Sequence, residues 1–104
     1  MEEIKNTDCY VYMIECMDGT YYIGIANDYK KRWEQHKKGT GAKYIKGKGF
    51  KKPVFLQKVS SKSEAMRLEI KYKKYSKQKK KTLISSDSNI LISALHEKSI
   101  LNEK

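Results

Sequence analysis

The fold is decided by residues 9–26, which read CYVYMIECMDGTYYIGIA. The runs at residues 9–16 and 20–26 are rich in β-branched and aromatic residues, a composition that favours strands. Between them lies Asp18-Gly19, a dipeptide typical of tight turns that join antiparallel strands. Neither run alternates strictly between apolar and polar residues, so we expect both faces of this hairpin to be covered.

The length of the turn decides which tyrosines meet. A two-residue turn would pair Glu15 with Tyr22 and would point Tyr12 and Tyr22 to opposite faces of the hairpin. A three-residue turn with Gly19 in the left-handed conformation would instead pair Ile14 with Tyr22. Tyr12 and Tyr22 would then be diagonal neighbours on one face, roughly 7–8 Å apart. The sequence leaves both registers open.

A helix is predicted directly after the hairpin. Asn27-Asp28 can cap its N-terminus, and Gly39 is suited to end it after about Lys38. Arg32 and His36 are four residues apart, so they lie side by side on this helix.

The next segment is basic and rich in glycine. Residues 39–52 read GTGAKYIKGKGFKK, which indicates a flexible basic loop or a short helical turn within one. Residues 53–59 read PVFLQKV and predict a third strand. Ser61 and Glu64 then form a capping-box pattern that predicts the start of a second helix.

One acidic residue of this second helix falls among positions that favour apolar side chains. Ala65, Leu68 and Tyr72 recur at helical spacing, and Glu69 lies between the last two on the same stripe. Packing alone does not favour a carboxylate there, so Glu69 is a candidate functional residue. Ser76 can cap a further short helix.

The order of elements predicts an α/β (α+β) fold of the form β-β-α-β-α(-α). It consists of a small three-stranded antiparallel sheet flanked by helices. We assign residues 1–8 to an N-terminal tail and residues 9–84 to the domain. Residues 85–104 form a C-terminal extension that can supply a short docked helix.

Charge indicates the class of partner. The chain of 104 residues has a formal net charge of +11, and residues 28–81 hold 20 Lys and Arg against four acidic residues. Such a surface attracts polyanions through counterion release, which predicts a nucleic-acid partner, although lysine-rich faces also serve solubility. No stretch is long and apolar enough for a membrane span, and the polar N-terminus does not resemble a signal peptide. With only Cys9 and Cys16 as thiols, we expect a reduced, cytoplasmic protein.

The ordered motifs resemble the GIY-YIG nuclease superfamily, in particular its small stand-alone bacterial members. The resemblance rests on Val11-Tyr12, Tyr22-Ile23-Gly24, Arg32-x-x-x-His36 and the later Glu69, and it covers roughly residues 9–84. Residues 41–44, which read GAKY, are similar to a loop of structure-selective and repair nucleases. The first motif departs from the family pattern, with Tyr10-Val11-Tyr12 in place of Gly-Ile-Tyr.

The resemblance implies phosphodiester hydrolysis assisted by one divalent ion, Mg²⁺ or alternatively Mn²⁺, held by Glu69 and water. Tyr22 would accept the proton of the attacking water, which for a phenol of ordinary pKa near 10 requires nearby positive charge. Tyr12 would assist by hydrogen bonding. Arg32 would bind the scissile phosphate, and His36 would orient a tyrosine or relay a proton.

Further residues complete the predicted site. Gly24 either marks a bulge or lets the helix or the substrate approach closely. Nucleic acid, most simply DNA, would be contacted by Lys43, Tyr44, Lys46, Lys48, Lys51 and Lys52. Many family nucleases have an asparagine 10–15 residues beyond the metal-binding glutamate, where this chain is lysine-rich. Asn89 lies 20 residues beyond Glu69 and is predicted to belong to an unrelated tail.

Three functions are compatible with these features. The first is a monomeric, metal-dependent endonuclease of DNA repair or recombination that needs no small-molecule cofactor. The second is a non-catalytic nucleic-acid-binding module with the same fold. The third, which charge alone supports, is a protein-interaction or ribosome-associated accessory protein.

Overall fold

The predicted sheet and helices are present in the computed structural model, which describes residues 8–94. The elements in chain order are β1 (Cys9–Cys16), β2 (Tyr21–Ala26), α1 (Tyr29–Lys38), α2 (Lys43–Lys48), β3 (Phe50–Val59), α3 (Lys62–Lys73) and α4 (Lys77–Ile84). The β-β-α-β-α order is confirmed, with α2 as the helical turn inside the basic segment. The predicted tail lies outside the described residues except for Asp8, as do residues 95–104 of the extension.

The hairpin adopts the register of the three-residue turn. Ile14 is the partner of Tyr22 across the strands, and Gly19 has a φ of 87°. The Cys16 N–H donates to the Thr20 carbonyl at 2.8 Å, which closes the turn. Tyr12 and Tyr22 therefore share one face of the sheet.

The central strand is buried on both faces, which explains why its sequence does not alternate. The sheet order is β2-β1-β3, and both pairings are antiparallel. One face packs against α3 and α4 through a cluster that includes Val11, Met13, Ile23, Phe55, Ala65 and Tyr72. The other face packs against α1, α2 and the C-terminal segment through Tyr12, Ile14, Cys16, Trp33, Ile45, Leu56 and Leu91.

Side-chain caps begin the longer helices where the sequence predicted them. Asp28 accepts a hydrogen bond from the Lys31 N–H at α1, and Gly39 ends that helix with a φ of 79°. Ser61 accepts from the Glu64 N–H at α3. These caps fix where each helix begins and hence which of its side chains face the sheet.

The interpretation of Asn89 as part of an unrelated tail is wrong. Its Nδ2 donates to the Val54 and Ile84 carbonyls, each at 2.9 Å, and its Oδ1 accepts from the Leu56 and Leu91 N–H groups, each at 3.0 Å. Sequence distance from Glu69 gave no sign of this, because the edge of β3 that Asn89 contacts lies more than 30 residues earlier in the chain. The side chain attaches the C-terminal segment to β3.

Residues 8–94 contain both cysteines of the chain and all the helices that the structure describes. Cys9 and Cys16 are buried, free thiols. No helix in this part of the chain is both long and apolar enough to cross a membrane.

Candidate functional site

A buried tyrosine and a buried histidine form the centre of the site. Tyr12 lies in the middle of β1 and is 1% exposed, and His36 lies in the last turn of α1 and is 2% exposed. The Tyr12 hydroxyl oxygen and His36 Nε2 are 2.7 Å apart, a hydrogen-bond distance. The pair joins the central strand to the helix that covers it.

The segment before α2 fixes the state of the imidazole. The Ala42 N–H donates to His36 Nδ1 at 3.3 Å, so Nδ1 is the acceptor nitrogen and the ring proton resides on Nε2. Nε2–H therefore donates to the Tyr12 hydroxyl oxygen, which leaves the phenol proton free to point elsewhere. Burial, and secondarily Arg32, lowers the pKa of His36, so the ring is neutral at neutral pH.

Two glycines allow these rings to sit where they do. A Cβ atom on Gly24 would lie 2.7 Å from the Tyr12 hydroxyl oxygen and 2.9 Å from a Tyr22 ring carbon. A Cβ atom on Gly41 would collide with His36 Nδ1. Gly24 is thus a point of close approach, but of the two tyrosine rings and not of the helix or substrate that the sequence suggested, and the contact of Gly41 with His36 was missed. Its only signal was the short GAKY segment.

Tyr22 is the tyrosine of this pair that solvent reaches. It is partly exposed, and its ring centroid lies 6.4 Å from that of Tyr12 and 5.6 Å from that of His36. Burial, followed by the neighbouring Tyr22, raises the pKa of Tyr12 well above its ordinary value. Tyr12 therefore retains its proton, and a substrate can reach only Tyr22 directly.

Arg32 lies beside the two buried rings. Arg32 lowers the pKa of Tyr12 first by a side-chain hydrogen bond to the phenol and then by its positive charge, and the same charge contributes to lowering the pKa of His36. Nη1 donates to the Gln35 side chain at 3.2 Å, which leaves other donors of the guanidinium available. The four-residue spacing of Arg32 and His36 on α1 places both side chains beside Tyr12.

Glu69 approaches the same cluster from α3. Its negative charge acts on the Tyr12 phenol, raising that group's pKa, so the two side chains are within electrostatic range. The Glu69 side chain is 22% exposed and forms an ion pair with Lys73 at 3.4 Å. Within residues 8–94 no group of three or more His, Cys, Asp or Glu residues is arranged to hold a metal ion. A single accessible carboxylate fits Mg²⁺, which keeps most of its waters, and does not fit a fully protein-ligated ion.

The predicted nucleic-acid-binding residues fall into three groups in the structure. Tyr44 is 42% exposed, and its ring lies 5.9 Å from that of Tyr22, at the site itself. Lys48 forms an ion pair with Asp18 at 3.0 Å, and Lys51 forms one with Glu15 at 3.6 Å, so both ammonium groups already have a carboxylate partner. The remaining three are exposed and have no carboxylate partner among the described residues: Lys43, Lys46 and Lys52.

The comparison with family models places this fold and site in a known class. The model of the GIY-YIG catalytic domain matches residues 8–82. The chain therefore belongs to the GIY-YIG family, a nuclease superfamily, and the resemblance drawn from the motifs is confirmed.

More specifically, the chain is similar to the UPF0213 proteins. UPF0213 protein BH0048 of Halalkalibacterium halodurans is 43% identical over 76 residues, which cover 73% of this chain and 81% of that protein. UPF0213 protein FN1575 of Fusobacterium nucleatum is 42% identical over 85 residues, covering 79% and 82% of the two chains. The solution NMR structure of UPF0213 protein BH0048 from Bacillus halodurans matches with a TM-score of 0.50 and 41% identity, over 78% of this chain and 86% of that one.

Proposed function

We propose that this protein is a divalent-metal-dependent endonuclease that hydrolyses phosphodiester bonds in DNA. The observation that carries the proposal is the convergence of side chains from two helices, α1 and α3, on the buried Tyr12 hydroxyl of β1. His36 of α1 contacts it at 2.7 Å, and the charges of Arg32 of α1 and Glu69 of α3 act on its pKa. A binding module does not need a neutral, oriented imidazole and an accessible carboxylate beside a buried phenol.

Each side chain has a role that its surroundings support. Arg32 binds the scissile phosphate with the planar donor groups that remain free. Tyr22 acts as the general base that takes the proton of the water that attacks phosphorus while the bond to the leaving oxygen breaks. Tyr12 directs its own proton toward this space, because its oxygen accepts from His36. His36 thus orients Tyr12, and the tautomer set by Ala42 maintains that orientation.

Glu69 would hold the Mg²⁺ ion, or Mn²⁺ in its place, together with water molecules. When bound, such an ion stabilises the negative charge that develops on the leaving oxygen. Lys73 forms an ion pair with this carboxylate. A small domain of this kind recognises backbone and shape instead of base sequence, so structured, nicked or single-stranded DNA is the proposed substrate. This activity fits DNA repair or recombination in the cytoplasm, carried out by a monomer.

Substitution of Glu69 tests the proposal. Glu69→Gln keeps the size of the side chain but removes the charge that holds the ion, so we expect Mg²⁺-dependent cleavage to fall at least about 100-fold. Affinity for the same DNA, measured without metal by fluorescence anisotropy, should change little. Glu64→Gln is the matched control, because Glu64 lies in the first turn of the same helix and its backbone N–H, not its carboxylate, bonds to the cap.

The substrates for this test are branched, nicked and single-stranded oligonucleotides with Mg²⁺ and with Mn²⁺. If Glu69→Gln cleaves as fast as the wild-type protein, the assignment of the site fails. If the wild-type protein binds all three substrates and cleaves none with either ion, the domain is a non-catalytic nucleic-acid-binding module.

A further inference from the structure

A groove runs along the free edge of β2, directly beyond Tyr22. It consists of two adjoining pockets of about 210 and 240 Å³ between α2 on one side and the α3–α4 region on the other. The side chains that matter for its chemistry are Tyr21, Tyr22, Tyr44, Lys73, Lys77 and Lys80. The two pockets share Tyr21, Tyr44 and Lys80, so they form one continuous path that begins at the candidate active site.

One wall of the groove is positively charged. Lys77 and Lys80 lie on α4, and neither has an ion-pair partner in the part of the chain that the structure describes. Lys80 is only partly exposed, because its side chain lines the groove. The nearby carboxylate of Asp18 is engaged by Thr20 and Lys48. Uncompensated cations along a narrow path favour a polyanionic occupant.

The other wall offers aromatic faces. The ring of Tyr44 is inclined by only 31° to the ring of Tyr22, at a centroid distance of 5.9 Å. Tyr44 is 42% exposed, and Tyr21 and Tyr22 are partly exposed. Aromatic rings beside a cationic track are the arrangement by which proteins bind unpaired bases and the phosphates that link them. A base inside a duplex is already stacked and paired, and it cannot present its face to Tyr44.

We propose that this groove binds a single-stranded segment of nucleic acid that flanks the scissile phosphate. Lys77 and Lys80 contact phosphates, and Tyr44 stacks on a base next to the site. The inference rests on the proposed function in one respect: the bound strand flanks a cleavage point only if the site at Tyr22 cleaves nucleic acid. It narrows the substrate to nucleic acid that is unpaired on at least one side of the cleavage point.

Binding without metal tests the groove independently of cleavage. The Lys77→Ala/Lys80→Ala variant should bind a fluorescein-labelled single-stranded 12-mer about tenfold more weakly than the wild-type protein at 0.1 M salt, measured in EDTA. The slope of log affinity against log salt should become shallower by about 1.4, since two phosphate contacts to a single strand are lost. Lys62→Ala/Lys71→Ala is the matched control, because it removes the same charge from exposed positions of α3 that do not line the groove. The control should leave the slope almost unchanged.

A blunt duplex of the same length separates this proposal from general electrostatic attraction. For the duplex, the groove variant and the control should weaken binding equally. If the two double variants weaken single-strand binding equally, or if the groove variant weakens duplex binding as strongly as single-strand binding, the proposal is wrong. Thermal unfolding of both variants shows whether the fold is kept, and Lys77→Gln/Lys80→Gln replaces the alanine variant if it is not.

The two proposals fail in different ways. If the wild-type protein cleaves no substrate, the proposed function falls, whereas the single-strand binding and its salt slope still report on the groove. If the protein cleaves but the groove variant matches its control, the groove proposal falls alone. Tyr44→Leu supplies a second readout: loss of base stacking should weaken single-strand binding about fivefold or more, with less effect on the duplex.

Discussion

The Tyr12 hydroxyl oxygen lies 2.7 Å from Nε2 of His36, and both side chains are almost fully buried. The Ala42 N–H on the opposite side of the imidazole makes Nε2–H the donor of this bond. One hydrogen bond therefore fixes the position of α1 on β1 and the direction in which Tyr12 presents its own proton.

Loss of this hydrogen bond should destabilise the fold. Tyr12→Phe leaves the buried Nε2–H of His36 without an acceptor, which costs about 1–3 kcal/mol. Tyr10→Phe is the control, since no hydrogen bond of the Tyr10 hydroxyl is recorded among the described residues and its removal should cost less than about 0.5 kcal/mol. Urea denaturation of both variants measures the difference, and equal losses would contradict the buried hydrogen bond.

Stability should depend on pH through His36. Burial lowers the pKa of His36 below its ordinary value of 6.5, so the unfolded chain binds the proton more readily than the folded chain. This contribution to stability is complete above about pH 6.5 and is lost as the pH falls through the lower pKa of the folded state. The free energy of unfolding of the wild-type protein should therefore decrease more between pH 7.5 and pH 5 than that of His36→Gln.

The comparison of the two proteins isolates His36. The other histidine of the chain, His96, and all carboxyl groups are present in both. Equal changes with pH in the two unfolding experiments would show that His36 is not held neutral by the fold.

Gly24 should not tolerate a side chain. The Cβ atom of Gly24→Ala would lie 2.7 Å from the Tyr12 oxygen, so the Tyr12 or Tyr22 ring must move. We expect a loss of about 1–3 kcal/mol in stability and a fall in any cleavage activity of at least tenfold. In Gly47→Ala the added atom meets nothing within 4 Å and replaces a glycine inside α2, so stability should rise by up to about 1 kcal/mol. A Gly24→Ala variant with wild-type stability and activity would refute the close approach.

Lys73 should compete with the metal ion for Glu69. The two side chains form an i,i+4 pair at 3.4 Å in which Lys73 is exposed and Glu69 is partly buried, an arrangement worth about 0.3–0.5 kcal/mol. Lys73→Ala should therefore lower the Mg²⁺ concentration for half-maximal cleavage by about twofold. Lys71→Ala removes the same charge from an exposed position of α3 and should leave that concentration unchanged. A titration in which both variants shift equally would mean that only the general charge of α3 matters.

Asn89 should matter for stability although it lies outside the matched family region. Asn89→Ala removes four hydrogen bonds between this side chain and partly buried backbone groups. We expect the free energy of unfolding to fall by about 2–4 kcal/mol. Asn89→Asp should also destabilise, because a carboxylate cannot donate to the Val54 and Ile84 carbonyls. Gln78→Ala, at an exposed position of α4, is the control for guanidine denaturation and should change stability by less than about 0.5 kcal/mol. If Asn89→Ala loses less stability than this control, the side chain of Asn89 is not needed to hold the C-terminal segment on β3.

Local chemistry made much of the fold predictable. The turn at Asp18-Gly19, the cap at Asp28 and the end of α1 at Gly39 depend on residues within a few positions of one another. Such interactions join residues that are close together in the sequence, so they can be predicted from it. The same holds for the four-residue spacing that brings Arg32 and His36 to one side of α1. The family motifs then linked these elements to a nuclease superfamily.

What the sequence by itself determined is therefore the order of the strands and helices, the basic character of the surface and the family, whereas β3 begins at Phe50, three residues earlier than predicted. Only the tertiary structure decided between the two hairpin registers, set the tautomer of His36 through Ala42, and attached Asn89 to β3. It also brought Lys77 and Lys80 beside Tyr44 in one groove. These relationships depend on packing between distant segments and on hydrogen bonds to backbone groups, which have no side-chain pattern that a sequence could display.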